Sequence, residues 1–106
     1  MVRHRSFSLQ QWLCRAVMVF GLLGHPAEAR PVVVLDPGHG GSDAGASWGG
    51  VREKKLTLMI AQRVESVLRR RGIRTAMTRR SDRFVSLQSR AALANGYRSA
   101  VLVSIH

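Results

Sequence analysis

Val32-Val33-Val34-Leu35-Asp36-Pro37-Gly38-His39-Gly40-Gly41 is the stretch that decides the fold. The β-branched run predicts a buried strand over roughly Val32 to Leu35. The pattern then breaks into aspartate, proline and glycine, with one histidine inside the break. In an open α/β sheet, a group just past the carboxyl end of a strand faces the crevice where ligands bind. The glycines let the backbone turn tightly and keep side chains out of the way. Taken alone, the stretch is equally an ordinary strand-to-loop turn with an exposed histidine. The residues around it decide between the two.

Downstream, residues 36–51 carry Gly38, Gly40, Gly41, Gly45, Gly49 and Gly50 and read as a long loop without a packed element. Loops of this length inside compact domains usually carry function. Trp48, its one large apolar residue, is expected to pack against the scaffold rather than line a groove. From about Glu53 to Arg71 the period turns helical, with Leu56, Ile60, Val64, Val67 and Leu68 on one face. Gly72 suits the helix terminus, and Arg69, Arg70 and Arg71 complement the dipole there. Lys54 and Lys55 sit at the wrong end for the dipole, so something else must hold that end. Ile73 to Met77 reads as a second strand and residues 78–82 as a polar loop. Ser86 caps a second helix, with Leu87, Ala91 and Ala94 on one face and Asn95-Gly96 at its end. Ala100 to Ile105 is a third strand. Strand, helix, strand, helix, strand predicts an α/β fold, a mostly parallel sheet flanked by helices with right-handed crossovers.

The first 29 residues have the three parts of a secretory signal. Arg3 and Arg5 form a basic start, residues 16–23 a short apolar core, and Ala27-Glu28-Ala29 a cleavage site. The apolar run is too short to span a bilayer, so no stable membrane anchor is expected. Cleavage divides the chain into a leader, 1–29, and one domain, 30–106, located in the periplasm or outside the cell. It also removes Cys14, the only cysteine, along with His4 and His25. The whole chain carries a net charge of +11, and the part from Arg30 onward holds 14 basic and 5 acidic residues. Such an excess favours an anionic partner or reflects solvated basic faces. No nucleic-acid motif or aromatic interleaving is present, and export points instead to an acidic wall polymer.

Three residues carry the chemistry. His39 follows strand one, Glu53 opens the first long helix, and His106 follows strand three. In a parallel sheet the ends of strands one and three share an edge, so both histidines can face one crevice. Two imidazoles and one carboxylate are the ligand set of a catalytic zinc, with the fourth position open to water. Such an ion lowers the pKa of that water and polarises a carbonyl. The spacing leaves other roles open. Glu53 suits a helix N-terminus through the dipole alone, and His106 is equally a histidine at a strand end with no duty.

Four ordered motifs resemble a known family. They are Val-Leu-Asp-Pro-Gly-His-Gly-Gly-Ser-Asp-Ala-Gly-Ala (34–46), Arg-Glu-Lys (52–54), Thr-Arg-Arg-Ser-Asp-Arg-Phe-Val-Ser-Leu (78–87) and Val-Ser-Ile-His (103–106). Together they resemble the zinc-dependent N-acetylmuramoyl-L-alanine amidases of the amidase 3 type. The resemblance implies that His39, Glu53 and His106 are Zn2+ ligands. It also implies a peptidoglycan hydrolase that cuts the amide bond between muramic acid and the first L-alanine of the stem peptide, in wall turnover or daughter-cell separation. Ala44 and Lys55 depart from the family, which often has proline and an acid there. The family continues past its Ser-Ile-His motif, and its catalytic glutamate lies in that later part. The expectation is therefore the N-terminal part of the catalytic domain, incomplete at the C-terminus and inactive alone, with the glutamate beyond residue 106. A non-catalytic cell-wall-binding fragment is the alternative, and an activator protein is a conceivable partner. Asp36 is expected to steady the loop, or to orient a ligand by turning back on its own backbone or a histidine N–H. Asp43 and Asp82 read as loop residues, and Glu65 as a solvated helix position.

Overall fold

The structure, a computed structural model, describes residues 30–106; the leader expected over residues 1–29 lies outside them. Three parallel strands form the sheet: β1 (Val32–Pro37) at its centre, β4 (Arg74–Met77) on one side and β5 (Ala100–Ile105) on the other. A small antiparallel hairpin, β2 (Ser47–Trp48) with β3 (Val51–Arg52), stands apart from it. Helix α1 (Glu53–Arg70) links β1 to β4 through the hairpin, and α2 (Leu87–Asn95) links β4 to β5. The two crossovers run to opposite sides of β1. Right-handed connections therefore place the helices on opposite faces, and the α/β fold is the expected one.

The alternation of β1 divides the core. Val33 and Leu35 lie on the α1 side, where Leu35, Ala61 and Met77 pack with Leu58, Val64, Leu68 and Ile105. Val32, Val34 and Asp36 point the other way, toward α2. Full burial of Leu35 or Val34 stabilises the fold by about 1.5–3 kcal/mol each.

β1 runs two residues further than its hydrophobic pattern suggests. Asp36 and Pro37 stay in register with Ser104 and Ile105. Pro37 has no N–H to give, but Gly38 N–H takes over by donating to Ile105 O at 2.9 Å. β4, in contrast, begins one residue late. Ile73 N–H donates to Leu68 O and Gly72 N–H to Arg69 O, the paired bonds that close a helix on a left-handed glycine.

The buried faces of the helices differ from those the apolar spacing suggests. Leu56, Ile60 and Val67 are exposed, and α1 turns Lys54, Thr57, Ala61 and Glu65 inward, with Val64 and Leu68 half-buried. On α2, Leu87 is exposed and Arg90 is the buried residue. Each buried polar group has partners on other elements, which periodicity cannot register. The cap on α2 is as expected, with Ser86 Oγ accepting from Ser89 N–H at 3.1 Å. No described helix is long and apolar enough to cross a membrane.

The glycine-rich loop contains a short paired element, though its strands are exposed rather than packed. Gly49 and Gly50, at φ 56° and 77°, form the two-residue turn of the β2–β3 hairpin, a pairing that Gly-Gly between short apolar runs signals. Trp48 does not pack on the scaffold; it is 88% exposed on this hairpin.

Candidate metal centre

The carboxyl ends of β1 and β5 lie side by side, so His39 and His106 leave the sheet at one edge. Their rings meet edge to face with centroids 5.2 Å apart. Glu53 reaches the same point from the first turn of α1. The base of the hairpin delivers it there: Glu53 N–H donates to Ala46 O, and Ala46 N–H donates back to Glu53 Oε2 at 2.9 Å. Glu53 Oε1 stands 3.1 Å from His39 Nε2 and 3.8 Å from His106 Nδ1. One donor atom from each of the three residues lies within 4.8 Å of the others.

Two glycines make this convergence possible. A Cβ on Gly38 would stand 2.5 Å from His106 Cε1. A Cβ on Gly45, at φ +63°, would stand 2.6 Å from His39 Cδ2 and 2.7 Å from Glu53 Oε2. Both chain segments approach the ligand side chains more closely than any other residue allows.

His39 itself has φ 60°, the left-handed region, which costs an L-residue about 1 kcal/mol or more. Its backbone is gripped on both sides. Arg90 Nη2 donates to His39 O at 2.9 Å, and Gly40 and Asp43 exchange backbone hydrogen bonds just beyond it.

The carboxylate on a histidine N–H is Asp43 and not Asp36. Asp43 Oδ2 is 2.9 Å from His39 Nδ1. That bond puts a proton on Nδ1, so Nε2, 3.1 Å from Glu53 Oε1, is the nitrogen that would turn its lone pair to an ion on losing its own proton. It also raises the pKa of His39 above the ordinary imidazole value, with Glu53 adding to the effect. Asp43 read as a plain loop residue in the sequence; its position four after His39, across a glycine turn, was the available signal. Glu53 is held below the usual carboxylate range, first by the Ala46 N–H and then by His39 and His106.

Asp36 touches neither its own backbone nor a histidine. Its Oδ1 accepts from Thr78 Oγ1 at 2.7 Å and Arg90 Nη1 at 2.6 Å, and its Oδ2 from Ser104 Oγ at 2.8 Å. Burial pushes its pKa up, but these donors outweigh burial and hold it below the ordinary value. It reaches the centre at one remove: Ser104 Oγ is 3.2 Å from His106 Nε2, and Arg90 carries its grip to His39 O. Its inward place on the central strand explains this, since the nearest polar groups there belong to β5, α2 and the segment after β4.

The remaining acids and one lysine are also placed. Lys54 Nζ donates to Gly41 O at 2.9 Å and to Asp82 at 2.8 Å, which supplies the interaction its unfavourable position on α1 requires. Glu65 is buried and not solvated, bound by both terminal nitrogens of Arg80 and by Thr75.

Two imidazoles and a carboxylate at the carboxyl edge of a parallel sheet form the donor set of a hydrolytic zinc centre. The residues fit such an ion: their donors converge, Asp43 engages Nδ1 of His39 so that Nε2 is the nitrogen turned toward Glu53, and Ser104 steadies the far nitrogen of His106. Comparison with known proteins then defines the family. Residues 33–106 match the amidase 3 family model, described as N-acetylmuramoyl-L-alanine amidase, and the chain belongs to that family. It is 47% identical over 78 residues to the N-acetylmuramoyl-L-alanine amidase AmiC of Neisseria meningitidis, covering 73% of this chain and 19% of that protein. It is 46% identical over 76 residues to AmiA of Escherichia coli, covering 71% of this chain and 26% of the relative. Among solved structures, the amidase AmiC2 of Nostoc punctiforme superposes with a TM-score of 0.70 at 42% identity, over 76% of this chain and 45% of that one. The chain thus spans about a fifth to a quarter of the length of these curated relatives.

Proposed function

We propose that this chain contributes the metal-ligand segment of an exported, zinc-dependent peptidoglycan hydrolase. The bond cut is the amide between N-acetylmuramoyl and the L-alanine of the stem peptide, and the role is in wall turnover or daughter-cell separation. The convergence of His39 Nε2, Glu53 Oε1 and His106 Nδ1 carries this reading, and the family of the chain supplies the substrate class. The charge balance from Arg30 onward, 14 basic residues against 5 acidic, suits an anionic wall polymer.

In this reading His39, Glu53 and His106 hold the ion. A bound zinc supplies Lewis acidity at the scissile carbonyl and a water that loses its proton near neutral pH. The protein's own part is orientation. Asp43 keeps the His39 proton on Nδ1, and the Ala46 N–H turns Glu53 Oε1 toward the histidines. Asp36, Asp43, Glu65 and Asp82 are each held by hydrogen-bonded partners among the described residues. None of them is given the proton-transfer role; the family resemblance puts the glutamate for that step in the part of the domain that follows the Ser-Ile-His motif.

The test uses the full-length protein on purified peptidoglycan, with mass spectrometry of the products. The expected product is free stem peptide with an L-alanine amino terminus, lost on chelation, restored by zinc and abolished by His39→Ala. Full cleavage by His39→Ala, or new reducing sugar ends in place of free peptides, would refute the reading.

A further inference from the structure

Arg79 is the largest of the fully buried side chains, 1% exposed, and no carboxylate among the described residues lies within ion-pair distance of it. A buried guanidinium is normally paired with an acid, because burial penalises an isolated charge. Arg79 meets oxygen dipoles instead. Its Nε donates to Pro37 O at 3.0 Å and its Nη1 to Ser81 O at 3.2 Å. Its Nη2 donates to Gly38 O at 2.7 Å and to Lys54 O at 2.9 Å, with Thr57 Oγ1 at 3.1 Å. Thr57 Oγ1 donates in turn to Gly38 O at 2.8 Å.

The two Nη2 acceptors are significant. Gly38 immediately precedes His39, and Lys54 immediately follows Glu53. A single nitrogen joins the backbone that presents one ligand to the backbone that presents another. Arg90, the other buried arginine near the centre, differs on both counts: it has Asp36 as counter-charge, and of the two segments it grips that of His39 alone, through Pro37 O and His39 O, while its Nε donates to Val85 O.

We infer that Arg79 is a positioning residue for the metal centre: its guanidinium sets the separation of His39 and Glu53 by tying Gly38 O to Lys54 O. The inference rests on the proposed metal site. A planar fork with fixed donors can hold Pro37, Gly38 and Lys54 together, whereas the flexible ammonium of a lysine is a point charge and cannot reproduce that geometry. Groups that orient metal ligands without touching the metal typically contribute about 10–100-fold in affinity.

The test measures zinc affinity of the full-length protein by chelator competition, well below the unfolding temperature of the metal-free form. Arg79→Lys should weaken zinc binding by about 10–100-fold and alter the visible absorption of the cobalt-loaded protein, which reports ligand geometry. Leu68→Ala, on α1 like Lys54 but away from its first turn, lowers the metal-free melting temperature and should leave zinc affinity within about twofold, being remote and sharing no partner with the site. Thr57→Val keeps the arginine but removes the hydroxyl that accepts from its Nη2 and donates to Gly38 O, and should weaken zinc about fivefold or more, the worth of one to two hydrogen bonds. It carries the test if Arg79→Lys does not fold. Unchanged affinity in Arg79→Lys or Thr57→Val overturns the inference. So does a loss in Leu68→Ala as large as in Arg79→Lys, which would make Arg79 a purely structural residue. A wild-type protein that binds no zinc overturns the metal site together with this inference, so the two failures are distinguishable.

Discussion

Replacing Asp36 by alanine should cost several kcal/mol, because it breaks one side of a buried ion pair. Asp36 is 5% exposed and Arg90 6%, and they meet at 2.6 Å. Alanine leaves the Arg90 charge buried without its counter-ion and leaves the hydroxyls of Thr78 and Ser104 without their acceptor. Breaking one side of a buried pair costs about 3–5 kcal/mol, against a total domain stability of about 5–15 kcal/mol. Arg90 keeps its bonds to Val85 O, Pro37 O and His39 O, which favours the lower half of that range. Asparagine retains an acceptor at the Oδ1 position for Thr78 and Arg90, but it loses the charge and puts an amide nitrogen where Oδ2 accepts from Ser104, so Asp36→Asn should cost about 1–3 kcal/mol. The double variant Asp36→Ala with Arg90→Met should recover part of the loss, with a coupling of about 2 kcal/mol. Urea unfolding followed by circular dichroism, with chelator present throughout, measures the wild type, these three variants and the single Arg90→Met that the coupling requires. A cost for Asp36→Ala below about 1 kcal/mol, or single losses that simply add, would refute the account of this pair.

Gly45→Ala should weaken zinc binding by about tenfold or more, because its Cβ meets both His39 and Glu53. Gly49→Ala, with open space around its Cβ, should cost only the backbone strain of about 1–2 kcal/mol and leave zinc affinity alone; equal effects in the two would count against the crowding argument. Acid should unfold the protein through Asp36 and Glu65. The Arg80 bond, working against burial, holds Glu65 below its ordinary 4.5, as the donors around Asp36 hold that carboxyl below 3.8. Their stabilisation is complete above those ordinary values and drains away as pH falls through the lower folded ones. The urea midpoint should therefore drop steeply below about pH 4, less steeply in Asp36→Asn, and an identical slope in that variant would remove Asp36 from the explanation. Trp48→Ala should change stability by less than about 0.5 kcal/mol, since the indole is 88% exposed; a larger loss in urea unfolding would mean that the hairpin depends on it.

The frame of the molecule was legible because β-branched runs and glycine breaks are local signals. Val32 to Val34 and Ala100 to Ile105 announced strands, and their parallel pairing brought His39 and His106 to one edge as the topology rule requires. The α1 face was misread because Lys54, Thr57 and Glu65 are buried for reasons that lie on other elements: Gly41 and Asp82, Gly38, and Arg80 with Thr75. Hydrophobic spacing counts apolar residues and gives no weight to a polar group satisfied across the fold. The same blindness hid Arg79 in what looked like a solvated loop. It also hid the role of Asp43, since only the turn at Gly40 brings its carboxylate back to His39 Nδ1.

The position of His106 on β5 has a consequence for assembly. His39 and Glu53 are brought together by a short loop and a hairpin, so their encounter costs little chain entropy. His106 arrives only after α1, β4 and α2 have been traversed and β5 has docked along β1. An ion bound by all three would act as a cross-link closing the long loop between Glu53 and His106, and its binding energy would oppose detachment of β5 from β1. Metal occupancy would then report on whether that strand is seated: amide protons of β5 should exchange more slowly with zinc present, while those at the β1–β4 pairing change little.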